Sequence, residues 1–209
     1  ELMKLNKDPV KIMDNYFKSI LSKFNNLYIY GFKWKPYVMD SSYKNIFKYL
    51  KENNIKVIVN YRNPLNVIIS GIKHFNNPNL KSHYDKNDSK KLSVVRKLKV
   101  MVPTRNLINE IKDIENNMKL YVGYLIENNI SFLEVNYENL CNDLNYWEDI
   151  INFLCKNKNE ASYYINKKLK NSFKNLNITK TTTMSNIDLI TNYKEVSDLL
   201  KDTIYSKYL

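Results

Sequence analysis

Glycine is scarce in this chain, with three residues in 209, and none of them falls in a Gly/Ser/Thr-rich strand–loop–helix. A backbone loop that cradles phosphates through its own N–H groups is therefore missing. Two cysteines, Cys141 and Cys155, and two histidines leave no CxxC pair and too few ligands for a metal site. The cysteines are expected to be reduced and structural, which suits a cytoplasmic protein. No apolar run approaches the ~20 residues that a membrane span needs, and no signal peptide is visible, so no membrane association is expected. Acidic residues are outnumbered: 21 Asp and Glu face 33 Lys and Arg, a net charge of +12. That excess asks for an anionic partner. The lysines are scattered through every segment and not gathered into one block, which weakens the nucleic-acid reading.

The composition that remains, 44% hydrophobic and 26% charged, is that of a globular chain able to build one core without staples. Apolar stripes at helical spacing predict a helix after Asp8-Pro9 (Val10, Met13, Phe17, Ile20, Leu21, Phe24) and one after Asp40-Ser41-Ser42 (Ile46, Phe47, Leu50). A long amphipathic helix capped by Thr104 is expected, bearing Leu107, Ile111, Met118, Tyr121 and Leu125, with others around Trp147, over 163–169 and from Tyr193. Strands are expected over 27–33, 57–61 and 131–137. This alternation predicts an α/β fold, a parallel β-sheet flanked by crossover helices, in one domain over 1–209. Gly31, inside its strand, suggests a close backbone approach. Residues 76–91 lack periodicity and read as a polar loop or lid. Residues 174–188 read as irregular. No internal repeat is apparent.

The central stretch is Lys56 to Phe75, KVIVNYRNPLNVIISGIKHF. Val57-Ile58-Val59 predicts a strand buried on both faces. Arg62 ends it, Asn63 is a helix N-cap and Pro64 occupies the first helical position. Leu65, Ile68, Ile69 and Ile72 continue at helical spacing, and Ser70 lies about two turns in. An arginine at a strand's carboxyl end, beside a helix N-terminus, is well placed to hold an anion.

Arg62-Asn63-Pro64 with Ser70 resembles the 3′-phosphate-binding motif of sulfotransferases that use 3′-phosphoadenosine 5′-phosphosulfate (PAPS). The likeness is closest to the bacterial and viral, trehalose-type branch, and it implies a P-loop-NTPase-like sulfotransferase fold. It further implies that the Arg62 guanidinium and Ser70 hydroxyl grip the ribose 3′-phosphate. Lys33 and Lys35, in Gly31-Phe32-Lys33-Trp34-Lys35-Pro36, match the strand end that carries a lysine and a base; Lys33 would neutralise the transferring sulfuryl group. Val135-Asn136-Tyr137-Glu138-Asn139-Leu140 resembles the family's Tyr–Glu–Asp/Asn–Leu strand end. It implies that Tyr137 contacts the adenine or the phosphate side of the cofactor, while Glu138 braces the turn. Residues 190–195 with Tyr205-Ser206-Lys207-Tyr208-Leu209 look like that branch's tail, and Lys180, upstream of it, would reach the 3′-phosphate. Glu1 would match the Gly–Glu step whose Glu is the general base. The family's first strand and phosphosulfate loop have no counterpart, so the natural protein is expected to begin a few tens of residues upstream.

His74, one turn beyond Ser70, and His83, in the polar loop, could meet an acceptor hydroxyl. The expected activity is transfer of a sulfuryl group from PAPS to a hydroxyl of a carbohydrate or small metabolite. A nucleotide-dependent phosphotransferase and a non-catalytic basic nucleic-acid-binding protein stay open as alternatives.

Overall fold

A computed structural model describes residues 9–23, 31, 42–78, 84–85, 93–94, 97–140, 144–155, 157–165, 178–179 and 185–209. Helices dominate. Helix α1 (Pro9–Lys23) and α2 (Ser42–Glu52) lead to β1 (Val57–Tyr61) and α3 (Pro64–Asn76). A two-residue strand β2 (Tyr84–Asp85) precedes the longest helix, α4 (Leu107–Glu127), which feeds β3 (Phe132–Asn136). Short α5 (Tyr137–Leu140), α6 (Leu144–Leu154) and α7 (Lys158–Tyr163) follow, then β4 (Ile178–Thr179), α8 (Asn186–Leu189), α9 (Tyr193–Leu200) and a 3₁₀ turn (Ser206–Tyr208).

The chain is thus α/β, with helices around a small parallel sheet. Strands β1 and β3 pair in parallel, Val57 opposite Phe132 through Tyr61 opposite Asn136. Parallel pairing requires a crossover, and α3 and α4 supply it. Val100 and Ile190 form a further parallel bridge, closed by Val100 N–H to the Leu189 carbonyl and Thr191 N–H to the Val100 carbonyl, both 2.8 Å.

Among the described residues, two buried clusters make up most of the core. Met13, Phe17, Ile46, Phe47, Leu50, Val59, Tyr121, Leu125 and Ile130 make one. Leu65, Ile69, Val100, Val102, Leu107, Ile111, Ile190, Val196, Leu200 and Tyr205 make the other. Helix α4 joins them: Leu107 and Ile111 of its first turns enter the second cluster, and Tyr121 and Leu125 of its last turns enter the first. Of the apolar stripes read from the sequence, Met13, Phe17, Ile46, Phe47, Leu50, Leu107 and Ile111 are buried in these clusters.

Two expectations change. The β1 run is covered on one side only: Val59 is 3% exposed, whereas Ile58 is 37% exposed and Asn60 also faces solvent. Residues 76–91 are not wholly loop, because β2 pairs antiparallel with β4, which falls within the stretch read as irregular. At Gly31 the Tyr16 hydroxyl donates to the main-chain carbonyl at 3.3 Å, and a Cβ there would meet nothing within 4 Å among the described residues.

A local repeat is also present. Tyr49-Leu50-Lys51-Glu52-Asn53-Asn54-Ile55 and Tyr124-Leu125-Ile126-Glu127-Asn128-Asn129-Ile130 differ at one position, and each ends a helix that feeds a sheet strand. Asn54 and Asn129 take positive φ, 50° and 52°. Ile55 N–H reaches back to the Leu50 carbonyl and Ile130 N–H to the Leu125 carbonyl, both 2.9 Å, the Schellman closure of a helix end. Asn53 and Asn128 each donate their side-chain amide to the carbonyl of the tyrosine four residues back, at 2.9 and 2.8 Å.

Candidate functional site

The carboxyl edge of the β1–β3 sheet brings together Arg62, Asn63, Tyr137 and Glu138. Each strand stops there for a local reason. Pro64 has no N–H for a ladder and starts α3, while Asn136 Oδ1 accepts from Asn139 N–H at 3.1 Å and turns the chain into α5. Asn63 caps α3: its Oδ1 accepts from Leu65 N–H at 2.9 Å and from Asn66 N–H at 3.4 Å. These two N–H groups are taken by the cap, so they are not free to meet a ligand.

Continuing the sheet register by one step sets Arg62 beside Tyr137, and by two steps Asn63 beside Glu138. The contacts follow that register. The Arg62 guanidinium lies over the Tyr137 ring, 4.9 Å from its centroid. Glu138 Oε1 accepts from Asn63 N–H at 3.3 Å and from Asn66 Nδ2 at 3.4 Å, so Glu138 does brace the turn. Arg62 Nε is buried and, among the described residues, has no hydrogen-bond partner. A buried guanidinium N–H costs free energy until an acceptor meets it, and a ligand phosphate or sulfate oxygen is such an acceptor. Tyr61, the last strand residue, has its phenol pushed up to about 12 by burial and by the Glu134 carboxylate, so it stays neutral beside the site.

Helix α3 carries the remaining described candidates. Ser70 and His74, four residues apart, share its solvent-facing side with Gly71. Among the described residues, no contact joins either of them to Arg62. On the opposite side Leu65, Ile69 and Lys73 are buried. Lys73 is 6% exposed, its ammonium has no hydrogen-bond partner among the described residues, and burial lowers its pKa. Glu1, Lys33, Lys35, His83 and Lys180 lie outside the described residues.

Lys73, Asn186 and the carbonyl of Tyr208 were not singled out from sequence. Asn63 Nδ2 donates to that carbonyl at 3.1 Å and Asn186 Nδ2 at 3.2 Å. A bond to a main-chain carbonyl leaves no side-chain pattern to read. Lys73 does leave one, since it continues the Leu65–Ile69 stripe at four-residue spacing. No family model, no curated protein and no solved structure matches this chain.

Proposed function

We propose that this protein is a PAPS-dependent sulfotransferase of the P-loop-like sulfotransferase fold. The observation that carries the reading is Arg62, a guanidinium whose buried Nε has no partner among the described residues, held over Tyr137 at the carboxyl ends of two parallel strands. Ligands of open α/β sheets bind at that edge. The donor set fits a phosphate monoester: a fixed cation at the turn, with the Ser70 hydroxyl about two turns along α3 as a second donor.

When bound, the nucleotide supplies an activated sulfuryl group. The chain's own part is to grip and orient: Arg62 and Ser70 hold the 3′-phosphate, with Lys180 as a further cation, and Tyr137 offers its ring to the nucleotide. Lys33 balances the charge that builds on the transferring group. The acceptor hydroxyl, on a carbohydrate or small metabolite, loses its proton to Glu1, His74 or Lys35; a lysine base needs a lowered pKa.

Calorimetric titration of 3′-phosphoadenosine 5′-phosphate against 5′-AMP tests the reading. Preference for the 3′-phosphorylated ligand is expected. Equal affinity overturns it, and equal affinity with a Mg²⁺ requirement points instead to phosphoryl transfer.

A further inference from the structure

The Asn63 carboxamide spans two elements. Its Oδ1 caps α3, and its Nδ2 donates to the Tyr208 carbonyl. That arrangement fixes which end of the amide faces the helix, because a flipped group would set donor against donor and acceptor against acceptor. The Tyr208 carbonyl is itself held in place. Asn186 Nδ2 donates to it and, at 3.4 Å, to the Leu209 carbonyl. The Tyr208 phenol donates to Glu115 Oε1 on α4, and the Lys207 ammonium lies 3.4 Å from the same oxygen. The Tyr205 ring, buried in the second cluster, stacks on Tyr208 with centroids 6.4 Å apart.

Residues 205–209 are therefore tied to the start of α3, to the middle of α4, to α8 and to the core. None of these ties is required to cap α3, since Asn63 Oδ1 and Pro64 already do so. What they add is a fixed direction for the residue that follows Arg62 in the chain.

We infer that residues 205–209 form a strap that sets the aim of Arg62, with Asn186 and Glu115 as the positioning residues that hold it against Asn63. The inference rests on the reading of Arg62 as the phosphate-gripping group. Neither Asn186 nor Glu115 belongs to the candidate site, so replacing them loosens the strap without removing a binding group.

Two readouts test it in Asn186→Ala and Glu115→Ala. The first is the affinity for 3′-phosphoadenosine 5′-phosphate and for 5′-AMP. The second, which needs no ligand, is the Arg62 Nε–H resonance and its exchange with solvent. Both variants are expected to weaken binding of the 3′-phosphorylated nucleotide about tenfold, the scale of one charge-assisted hydrogen bond, and to leave 5′-AMP unchanged. The Arg62 Nε–H signal should shift and exchange faster. Glu115→Gln keeps an acceptor for the Tyr208 phenol and should restore most of both. Lys201→Ala, which breaks the exposed pair with Asp198 in the same region, should change neither. An Arg62 Nε–H signal unmoved in both alanine variants overturns the strap. If the unaltered protein binds the two nucleotides equally, the phosphate role of Arg62 falls, and the Nε–H signal alone still decides whether the strap positions it.

Discussion

Asn54 and Asn129 hold the same left-handed backbone conformation, φ 50° and 52°, at the same step of two helix-to-strand units. Asparagine tolerates that region and β-branched residues do not. Asn129→Val should therefore cost about 1–2 kcal/mol, while Asn129→Gly should stay within about 1 kcal/mol of the parent, since glycine takes positive φ freely. Urea unfolding of both variants decides it, and equal losses for Val and Gly would assign the effect to lost contacts instead of backbone strain.

Arg62→Ala should weaken binding of 3′-phosphoadenosine 5′-phosphate by about 1.5–3 kcal/mol, as for a lost charge-assisted contact. Binding of 5′-AMP should barely change. Calorimetry of the two ligands is the check, and matched losses would sink the 3′-phosphate assignment.

Lys73 leads to a stability prediction with a definite sign. Burial lowers its pKa from the ordinary lysine value near 10.5, so the fold disfavours the protonated amine. The penalty is complete below the folded-state pKa. It is relieved as pH rises from that value towards 10.5, where the unfolded chain also loses the proton. Lys73→Met should accordingly stabilise the protein at neutral pH by about 1–3 kcal/mol, the cost of a buried unpaired polar group. The gain should shrink on approach to pH 10. Thermal unfolding from pH 7 to 10 measures it, and a Met variant less stable than the parent at pH 7 would show that Lys73 has an acceptor in the fold.

Lys56 closes the far end of α6. Its ammonium donates to the Phe153 carbonyl, lies 3.4 Å from the carbonyls of Leu154 and Cys155, and sits 5.3 Å from the centroid of the Phe153 ring. A cation among the last carbonyls of a helix is favourable by about 0.3–1 kcal/mol, and salt screens part of it. Lys56→Met keeps the apolar stem and should lose about that amount in low salt. Urea unfolding with and without added salt tests the claim; a loss that does not shrink in salt would put the stem's packing in the charge's place.

Helix stripes were legible in the sequence because burial on one side repeats every three to four residues. Met13 and Phe17, Ile46 and Leu50, and Leu107 and Ile111 all face the core as that spacing implies. Strand burial was less so. A β-branched run such as Val57-Ile58-Val59 has the same letters whether one face is covered or two, and only the structure shows Ile58 at the surface. The duplicated Tyr-Leu-x-Glu-Asn-Asn-Ile segment was hidden by composition, since asparagine pairs are common along this chain. At the site, the cap and turn of Arg62-Asn63-Pro64 could be read locally. The approach of Tyr137 depends on sheet register, which no local pattern states.

The two copies of the helix-to-strand unit are not the same length. From the isoleucine after the asparagine pair to the following Asn-Tyr, the second copy has one residue more than the first. The strands nevertheless pair from their beginnings, Val57 opposite Phe132, so equivalent letters at their ends fall one step apart. With equal lengths, the same pairing would bring Arg62 level with Glu138, and the two charges would neutralise each other. The inserted residue instead offers Arg62 an aromatic face and gives Glu138 to the backbone of Asn63. A single added residue thus leaves a cation at the sheet edge that an internal ion pair would otherwise have consumed.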